Sequence, residues 1–103
     1  MIAEIQVLPT PSGTPEQAYA HVDAAIAVIQ AAGLAYEVGP LGTWVEGPPD
    51  ALWPLMRAVH DAALHAGARS VVTILKLAEG AEGGDALTAE RLIAPHRPPA
   101  DAQ

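Results

Sequence analysis

The chain contains no cysteine and no phenylalanine, and its aromatic residues are limited to two tryptophans and two tyrosines. The absence of cysteine excludes disulfide bonds, thiolate catalysis and cysteine-ligated metal sites. Basic residues are also scarce: five stand against 12 acidic residues, which gives a formal charge of −7. Because a phosphate-binding surface needs clustered lysine and arginine, this balance argues against nucleic acid as a partner.

No apolar run approaches the roughly 18 residues that a membrane span needs, and no basic segment followed by an apolar stretch opens the chain. We therefore expect a cytoplasmic protein with no membrane partner. The 103 residues are enough for one domain, and 50% of them are hydrophobic. With few aromatic residues, the core must be built from Ala, Val, Leu and Ile, and such a core often depends on oligomerisation for further burial.

The first third of the sequence predicts a strand followed by a helix. Ile2–Leu8 alternates apolar and polar residues and is closed by Pro9, as in a β-strand. Thr14, followed by a proline and then by Gln17, has the pattern of a helix N-terminus with a capping box, and Gly33 is a natural end for that helix. The predicted buried stripe consists of Ala18, Val22, Ala25, Ile29 and Ala32.

The rest of the ordered pattern predicts a hairpin, a second helix and a last strand. Leu34–Gly39 and Gly42–Glu46 are the arms of the hairpin. A second helix opens at Pro48–Asp50 and stops at Gly67. Val71–Leu77 is apolar and rich in β-branched residues, so we expect a strand buried on both faces or nearly so. The predicted stripe of the second helix consists of Leu52, Met56, Val59, Ala63 and Ala66.

The order of these segments, βαββαβ, is that of an α+β protein with a ferredoxin-like fold. Right-handed crossovers then fix the antiparallel four-stranded sheet in the order 4-1-3-2, with both helices on one face and the other face open. We assign residues 1–77 to this domain. Residues 78–103 are expected to form a flexible loop, a short helical segment over Thr88–Ala94 and a disordered proline-rich tail from Pro98 onward.

Alternation along the strands predicts which side chains occupy the open face. The side chains expected to face the helices are Ala3, Ile5, Val7, Tyr36, Val38, Thr43 and Val45. Those expected on the open face are Glu4, Gln6, Glu37, Trp44 and Glu46. A turn centred on Pro40 and Leu41 places Glu37 opposite Trp44. In the last strand, alternation alone leaves two options for the open face: Thr73 with Leu75, or Val72 with Ile74.

An indole between carboxylates has two interpretations. It suits a small, flat, cationic heterocycle, which would gain cation–π contact and charge-assisted hydrogen bonds. A face that combines Trp44 with apolar residues also suits the sheet face of a second copy, in a closed dimer. We expect at least a homodimer on this ground.

Signatures of catalysis and of metal binding are weak in this sequence. His60 and His65 are five residues apart, about 140° around a helix, and so cannot share a metal ion. Asp61 and His65 are expected to form a surface charge pair. His21, on the polar side of the first helix, and His96 are both expected to be solvated. No nucleophile elbow, P-loop or dinucleotide motif is present. We predict a binding protein with no catalytic residue, metal or cofactor, and not an enzyme.

Three motifs together resemble the small thiamine- and hydroxymethylpyrimidine-binding proteins of ferredoxin-like fold. In chain order they are Ala3-Glu4-Ile5-x-Val7-x-Pro9, Tyr36-Glu37-x-x-Pro40-x-Gly42-Thr43-x-x-Glu46-Gly47 and Arg69-x-Val71-x-Thr73-x-x-Lys76. The resemblance covers about residues 2–77. It implies a cytoplasmic homo-oligomer, commonly a dimer of dimers joined through sheet faces, that binds its ligand near those interfaces and assists uptake or salvage of the vitamin.

The open face and these motifs together define the candidate ligand-binding residues. They are Glu4, Gln6, Glu37, Thr43, Trp44, Glu46, Thr73 and Lys76. Replacing Glu46 with glutamine is expected to weaken ligand binding at little cost in stability, whereas loss of Trp44 should damage both binding and assembly. Two alternatives remain: a structural or regulatory dimer without a ligand, and a small dimeric enzyme that uses carboxylates and Thr73. The chain departs from the family pattern at its C-terminus, where Pro95 cuts the last helix short.

Overall fold

The computed structural model of the protein describes residues 1–82 and 87–99. In chain order its elements are β1 (Ile2–Thr10), α1 (Ala20–Ala31), β2 (Ala35–Val38), β3 (Thr43–Glu46), α2 (Pro49–His65), β4 (Ser70–Ala78) and α3 (Ala89–Ile93), with a 3₁₀ turn at Ala94–His96. Part of the predicted flexible loop, residues 83–86, lies outside the described residues, and so does the end of the predicted disordered tail, residues 100–103.

The four strands form one antiparallel sheet in the order β2-β3-β1-β4. This is the predicted order read from the other edge, and it confirms the ferredoxin-like fold. The core lies between the helices and one face of the sheet. Ala3 and Val45, which are register partners on β1 and β3, are fully buried there with Ile29 of α1 and Leu52 of α2. Among the described residues, the two long helices, α1 and α2, both pack on this one face.

Within residues 1–82 and 87–99, none of the helices combines the length and the apolar character that crossing a membrane requires.

The first helix begins later than its sequence pattern predicts. Thr14 and Gln17 exchange two backbone hydrogen bonds and so close a turn of their own before α1. Thr14 Oγ1 does accept the N–H of Gln17, at 3.1 Å, so the predicted cap forms, but on this separate turn. A Cβ at Gly13 would lie 2.1 Å from the carbonyl oxygen of Gln17, so only glycine allows the turn to fold back this closely.

The expectation that His21 is solvated was wrong. The starting point of α1 turns this residue inward, where it is 4% exposed. Its Nδ1 lies 2.7 Å from the carbonyl oxygen of Pro11, and because a carbonyl can only accept, Nδ1–H donates to it. The imidazole thereby ties α1 to the loop after β1.

On α2, the carboxylate of Asp61 lies 3.7 Å from Arg57, one turn earlier in the helix.

The last strand is not buried on both faces, contrary to the expectation. β4 is an edge strand, paired only with β1 among the four strands. Val72 and Ile74 are 61% and 47% exposed. They lie on the open face, because they pair with Leu8 and Gln6 in the register. The pattern of apolar residues predicted a strand, but it could not show that one face of this strand is exposed to solvent in the single chain.

The hairpin is shorter than β1, and this leaves a gap in the sheet. β1 has nine residues, whereas its pairing with β3 ends at Ile5 and Thr43. Gln6 to Leu8 of β1 therefore pair with β4 on one side. On the other side they have no strand partner among the described residues, and they line a pocket together with the loop at residues 39–42 that joins β2 to β3. β1 also continues through Pro9, and a proline is tolerated where a strand has a free side.

Candidate functional site

The open face brings Trp44 between two carboxylates, as alternation predicted. Trp44 is the register partner of Glu4 on β1 and of Glu37 on β2. These three side chains line a pocket of about 270 Å³ together with the loop at residues 39–42. We call it the acidic pocket. The three side chains stand on neighbouring strands, and β3 is hydrogen-bonded to β1 on one side and to β2 on the other. The backbone beneath the pocket is therefore held in place by the sheet.

A hydrogen bond fixes the orientation of the indole in the acidic pocket. Trp44 Nε1–H donates to Glu37 Oε2 at 3.2 Å. This bond engages one edge of the indole and one oxygen of the carboxylate. The second carboxylate oxygen of Glu37 can accept from a ligand, and the ring is only half-buried. The arrangement offers an aromatic surface and negative charge in one place.

Lys76 reduces the negative charge at one side of the pocket. It is the register partner of Glu4 on β4, and its Nζ lies 3.7 Å from Glu4 Oε1. Both side chains are more than half exposed, so this ion pair contributes little to stability. Glu37, whose carboxylate is bonded to the indole, is therefore the stronger site for a cationic ligand. Gln6 lies one position further along the same face of β1, opposite Ile74.

Glu46 has a structural partner in the C-terminal segment. Its Oε2 accepts the backbone N–H of Ala89, the first residue of α3, at 2.8 Å. Ala89 itself is buried. Thr88 caps the same helix by accepting the N–H of Arg91. Glu46 is thus on the open face, as predicted, but it holds α3 and does not line the acidic pocket.

Glu46→Ala should loosen α3 while leaving the sheet intact. A hydrogen bond to a charged group contributes about 1.5–3 kcal/mol, so the free energy of unfolding should fall by up to that amount in a urea titration. Amide hydrogen exchange at Ala89 should accelerate. Glu37→Ala is the matched control, because its carboxylate accepts a hydrogen bond from a partly exposed indole, and it should change stability by about 0.5 kcal/mol or less. Unchanged protection of the Ala89 amide would contradict this role of Glu46.

Thr43 and Thr73 do not lie on the open face, so neither can join the acidic pocket. Thr43 is 5% exposed and is the partner of Ile5, a core residue. Thr73 faces α2, where its hydroxyl is 2.5 Å from His60 Nδ1. Alternation had left the face of Thr73 undecided; the register assigns it to the helix side.

A second cleft, which the sequence analysis missed, lies on the helix side of the same hairpin loop. Its volume is about 280 Å³, and we call it the neutral cleft. Apolar residues of β1 and α1 line it, with Thr43, Tyr19 and the loop at residues 39–42. The signal that could have revealed it is the difference in length between β1 and the hairpin arms, because unequal neighbouring strands leave a gap beside the longer one.

Comparison with known proteins identifies relatives over nearly the whole chain. A family model described as "Thiamine-binding protein" matches residues 3–91. A UPF0045 protein of Clostridium perfringens is 33% identical over 73 residues, which are 71% of this chain and 75% of that protein. The family match includes the residues of the acidic pocket and the neutral cleft, and it ends within α3, at residue 91.

Solved structures agree with this fold. A domain of unknown function, DUF77, from Bacillus cereus superposes with a TM-score of 0.81 at 29% identity, over 93% of this chain and 88% of that one. A protein of Thermotoga maritima, provisionally assigned to thiamine biosynthesis or salvage, gives a TM-score of 0.76 at 25% identity, over 93% and 97% of the two chains.

Proposed function

The chain belongs to the thiamine-binding protein family, and on that premise we propose that it binds thiamine or a related aminopyrimidine at the open face of its sheet. No reaction on the ligand is part of the proposal, because the family is named for binding and the pocket presents carboxylates without a nucleophile beside them. A protein of this kind would serve the uptake or salvage of the vitamin.

The observation that carries the proposal is the position of Trp44 between Glu4 and Glu37 in the acidic pocket. The thiazolium ring of thiamine is flat and permanently cationic. An indole face attracts such a ring through its quadrupole, and carboxylates nearby add Coulomb attraction and accept hydrogen bonds. Because the Trp44–Glu37 hydrogen bond already holds both groups, binding loses little side-chain entropy in ordering them.

We further propose that the functional unit is a homo-oligomer joined through the open face. Leu8, Val72 and Ile74 form an exposed apolar area at one end of this face, beyond the acidic pocket. A contiguous exposed apolar area of this kind is typical of an interaction surface. A second copy related by a two-fold axis would cover it with the same residues. The ligand would then lie near the subunit interface.

A structural or regulatory dimer without a ligand is the second candidate, and the same apolar area favours it. The two candidates differ in one measurable property, since only a binding protein is stabilised by ligand. Thiamine at 100 times its dissociation constant should raise the free energy of unfolding by about 2.7 kcal/mol. A structural dimer would melt at the same temperature with and without thiamine.

The test of the proposed function uses the fluorescence of Trp44. In a Trp53→Phe background Trp44 is the single tryptophan of the chain, and thiamine should quench it to a saturating level. Glu37→Gln keeps an acceptor for the indole but removes a negative charge. It should weaken thiamine binding about tenfold, the lower end for one charge-assisted contact.

Glu16→Gln is the matched control for this test. It removes the same charge from an exposed turn and should leave the thiamine affinity unchanged. If Trp44 shows no saturable response to millimolar thiamine, the proposed function is wrong. If Glu37→Gln and Glu16→Gln bind thiamine equally well, the ligand cation does not contact Glu37.

A further inference from the structure

The backbone of Val7 presents an open edge of β1 beside the neutral cleft. In an antiparallel strand, the N–H and C=O groups of successive residues point alternately to the two neighbouring strands. Met1 exchanges two hydrogen bonds with Gly47, just past β3, and the carbonyl of Thr10 accepts from Arg69, just before β4. Odd-numbered residues of β1 therefore point toward the hairpin side. Val7 lies beyond the end of the pairing with β3, so its N–H and C=O face the gap beside the hairpin loop.

These two backbone groups have no partner within the described chain. Among residues 1–82 and 87–99, no hydrogen bond reaches the N–H or the C=O of Val7 from the hairpin side. Pro9, the next residue directed to that side, has no N–H to satisfy. A donor and an acceptor thus remain open on one residue. An open strand edge of this kind can form hydrogen bonds with a bound molecule.

Thr43 contributes a hydroxyl group to the same cleft. The residue is 5% exposed and lines the cleft. No described residue forms a hydrogen bond with its hydroxyl, yet no fully buried side-chain polar atom of the described residues lacks a partner. The hydroxyl therefore keeps its remaining accessibility, and the cleft is where Thr43 meets open space. A nearly buried hydroxyl is costly unless a molecule in the cleft bonds to it.

The other walls of the cleft are apolar and extend from the surface to the core. Tyr19 and Leu41 are 66% and 78% exposed, whereas Ala25, Ile29 and Val59 are each 1% exposed. None of the described residues that line the cleft is charged. An ion in this cleft would lose water without gaining a counter-charge, so the cleft suits an uncharged molecule.

The volume of the cleft limits the size of its occupant. An apolar cavity of about 150 Å³ is enough for one benzene-sized ring, while drug-sized ligands need roughly 300–1,000 Å³. The neutral cleft, at about 280 Å³, lies between these limits and fits one substituted ring or two fused rings. Water can bond to Val7 and Thr43 but gains nothing from the aliphatic walls. A flat ring with polar groups on one edge satisfies both requirements.

We infer that the neutral cleft is a second binding site, separate from the acidic pocket, for a small uncharged planar ring compound that carries a hydrogen-bond donor beside an acceptor, as a cyclic amide does. The backbone of Val7 and the hydroxyl of Thr43 bond to its polar edge, and its ring packs against the aliphatic side chains of α1. This site goes beyond the proposed function, because its ligand is uncharged and does not contact Trp44.

Titration of the wild-type protein with 2-pyridone, followed by NMR, is the first test. This single-ring cyclic amide should shift the methyl signals of Val22 and Ile26 and the amide signal of Val7 to saturation, and should spare the Trp44 indole. An affinity in the millimolar range is expected for so few atoms. N-methyl-2-pyridone, which lacks the donor, should bind about fivefold more weakly. N-methylpyridinium, a charged ring of similar size, should not shift these signals.

The absence of saturable shifts at the cleft with millimolar 2-pyridone would overturn the inference. Equal shifts with N-methylpyridinium would also contradict it, because the site would then not select an uncharged ring.

Thr43→Val distinguishes a binding role of the hydroxyl from a structural one. The variant keeps the shape of the side chain and should bind 2-pyridone about fivefold more weakly, the effect of one neutral hydrogen bond. Its free energy of unfolding should stay the same or rise, because no protein partner is lost. Thr73→Val is the matched control: its hydroxyl contacts His60 outside the cleft, so this change should cost stability and keep the affinity. Equal affinity of Thr43→Val and the wild type would overturn the role of Thr43.

A filled cleft gives the last test. Val22→Phe should weaken 2-pyridone binding by about tenfold or more and leave thiamine affinity unchanged. Val28→Phe makes the same change on the same helix outside the cleft and should leave both affinities unchanged in the folded protein. Ile26→Phe replaces Val22→Phe if the latter does not fold. Full affinity for 2-pyridone in a folded filled variant overturns the inference, and loss of thiamine affinity in that variant overturns the separation of the two sites. A wild type that binds 2-pyridone in the cleft but does not bind thiamine supports the inference and contradicts the proposed function alone.

Discussion

Trp44→Ala should lower the affinity for thiamine by about a hundredfold, the largest effect that we expect from one side chain of the binding site. The substitution removes the aromatic surface, worth up to about 2 kcal/mol for a desolvated cation over a ring. It also removes the Nε1–H that holds Glu37, so the carboxylate must be ordered by the ligand itself. Together these losses come to about 3 kcal/mol. Calorimetric titration with thiamine measures the change.

Two further tryptophan variants separate these contributions. Trp44→Phe keeps an aromatic face but has no donor for Glu37, so its affinity should lie between those of the wild type and Trp44→Ala. Trp53→Ala removes the other tryptophan, which lies on α2 and is 55% exposed, and it should bind thiamine normally. If Trp44→Ala binds thiamine as the wild type does, the acidic pocket is not the site of the cation.

The fold could be predicted because its determinants are local and repeated. Glycine and proline mark the ends of the segments, and the periods of the apolar residues separate strands from helices. Four of the five residues predicted for the stripe of α2 are buried, Leu52, Met56, Val59 and Ala63, whereas Ala66 is exposed because it is the C-cap residue just past the end of the helix. Once six segments are placed in order, the handedness of crossovers leaves one arrangement of the sheet.

Deviations occurred where a tertiary contact competes with a local signal. The cap at Thr14 forms, but the turn closes on itself because Ser12 and Gly13 fold back against residues 17 and 18. That shifts the start of α1 and buries His21, whose partner is a loop carbonyl that no periodicity reveals. The exposure of β4 depends on the edge position of the strand, which the composition of the segment does not record.

The candidate site was predictable only for the residues whose faces follow from the hairpin register. Trp44 and Glu37 fall opposite each other whenever the turn is centred on residues 40 and 41, and the structure pairs them. Glu46 follows the same alternation, but its engagement with α3 depends on a segment more than 40 residues away in sequence. The neutral cleft lies beside the part of β1 that extends past the hairpin, and the difference in strand length that indicates it was not used in the sequence analysis.

Ile74→Lys should convert the oligomer that we propose into a monomer. In the single chain the Ile74 side chain is 47% exposed, and it lies in the apolar area with Leu8 and Val72. A two-fold axis through this area would place two introduced lysines in one interface, where each would lose its water. The carboxylate of Glu4 is on the same face of the sheet, but it lies beyond Gln6 along β1. Burying an unpaired charge costs several kcal/mol. The dissociation constant should therefore rise on the order of a thousandfold or more.

Light scattering at micromolar concentration distinguishes the outcomes. The wild type should show at least twice the mass of the 10.6 kDa chain, and Ile74→Lys should show the mass of one chain. Leu64→Lys is the matched control, because Leu64 is comparably exposed but lies on α2, across the core from the open face. It should keep the wild-type mass. A wild type that scatters as a single chain would contradict assembly through this face, and dissociation by Leu64→Lys with retention of the oligomer in Ile74→Lys would move the interface to the helix layer.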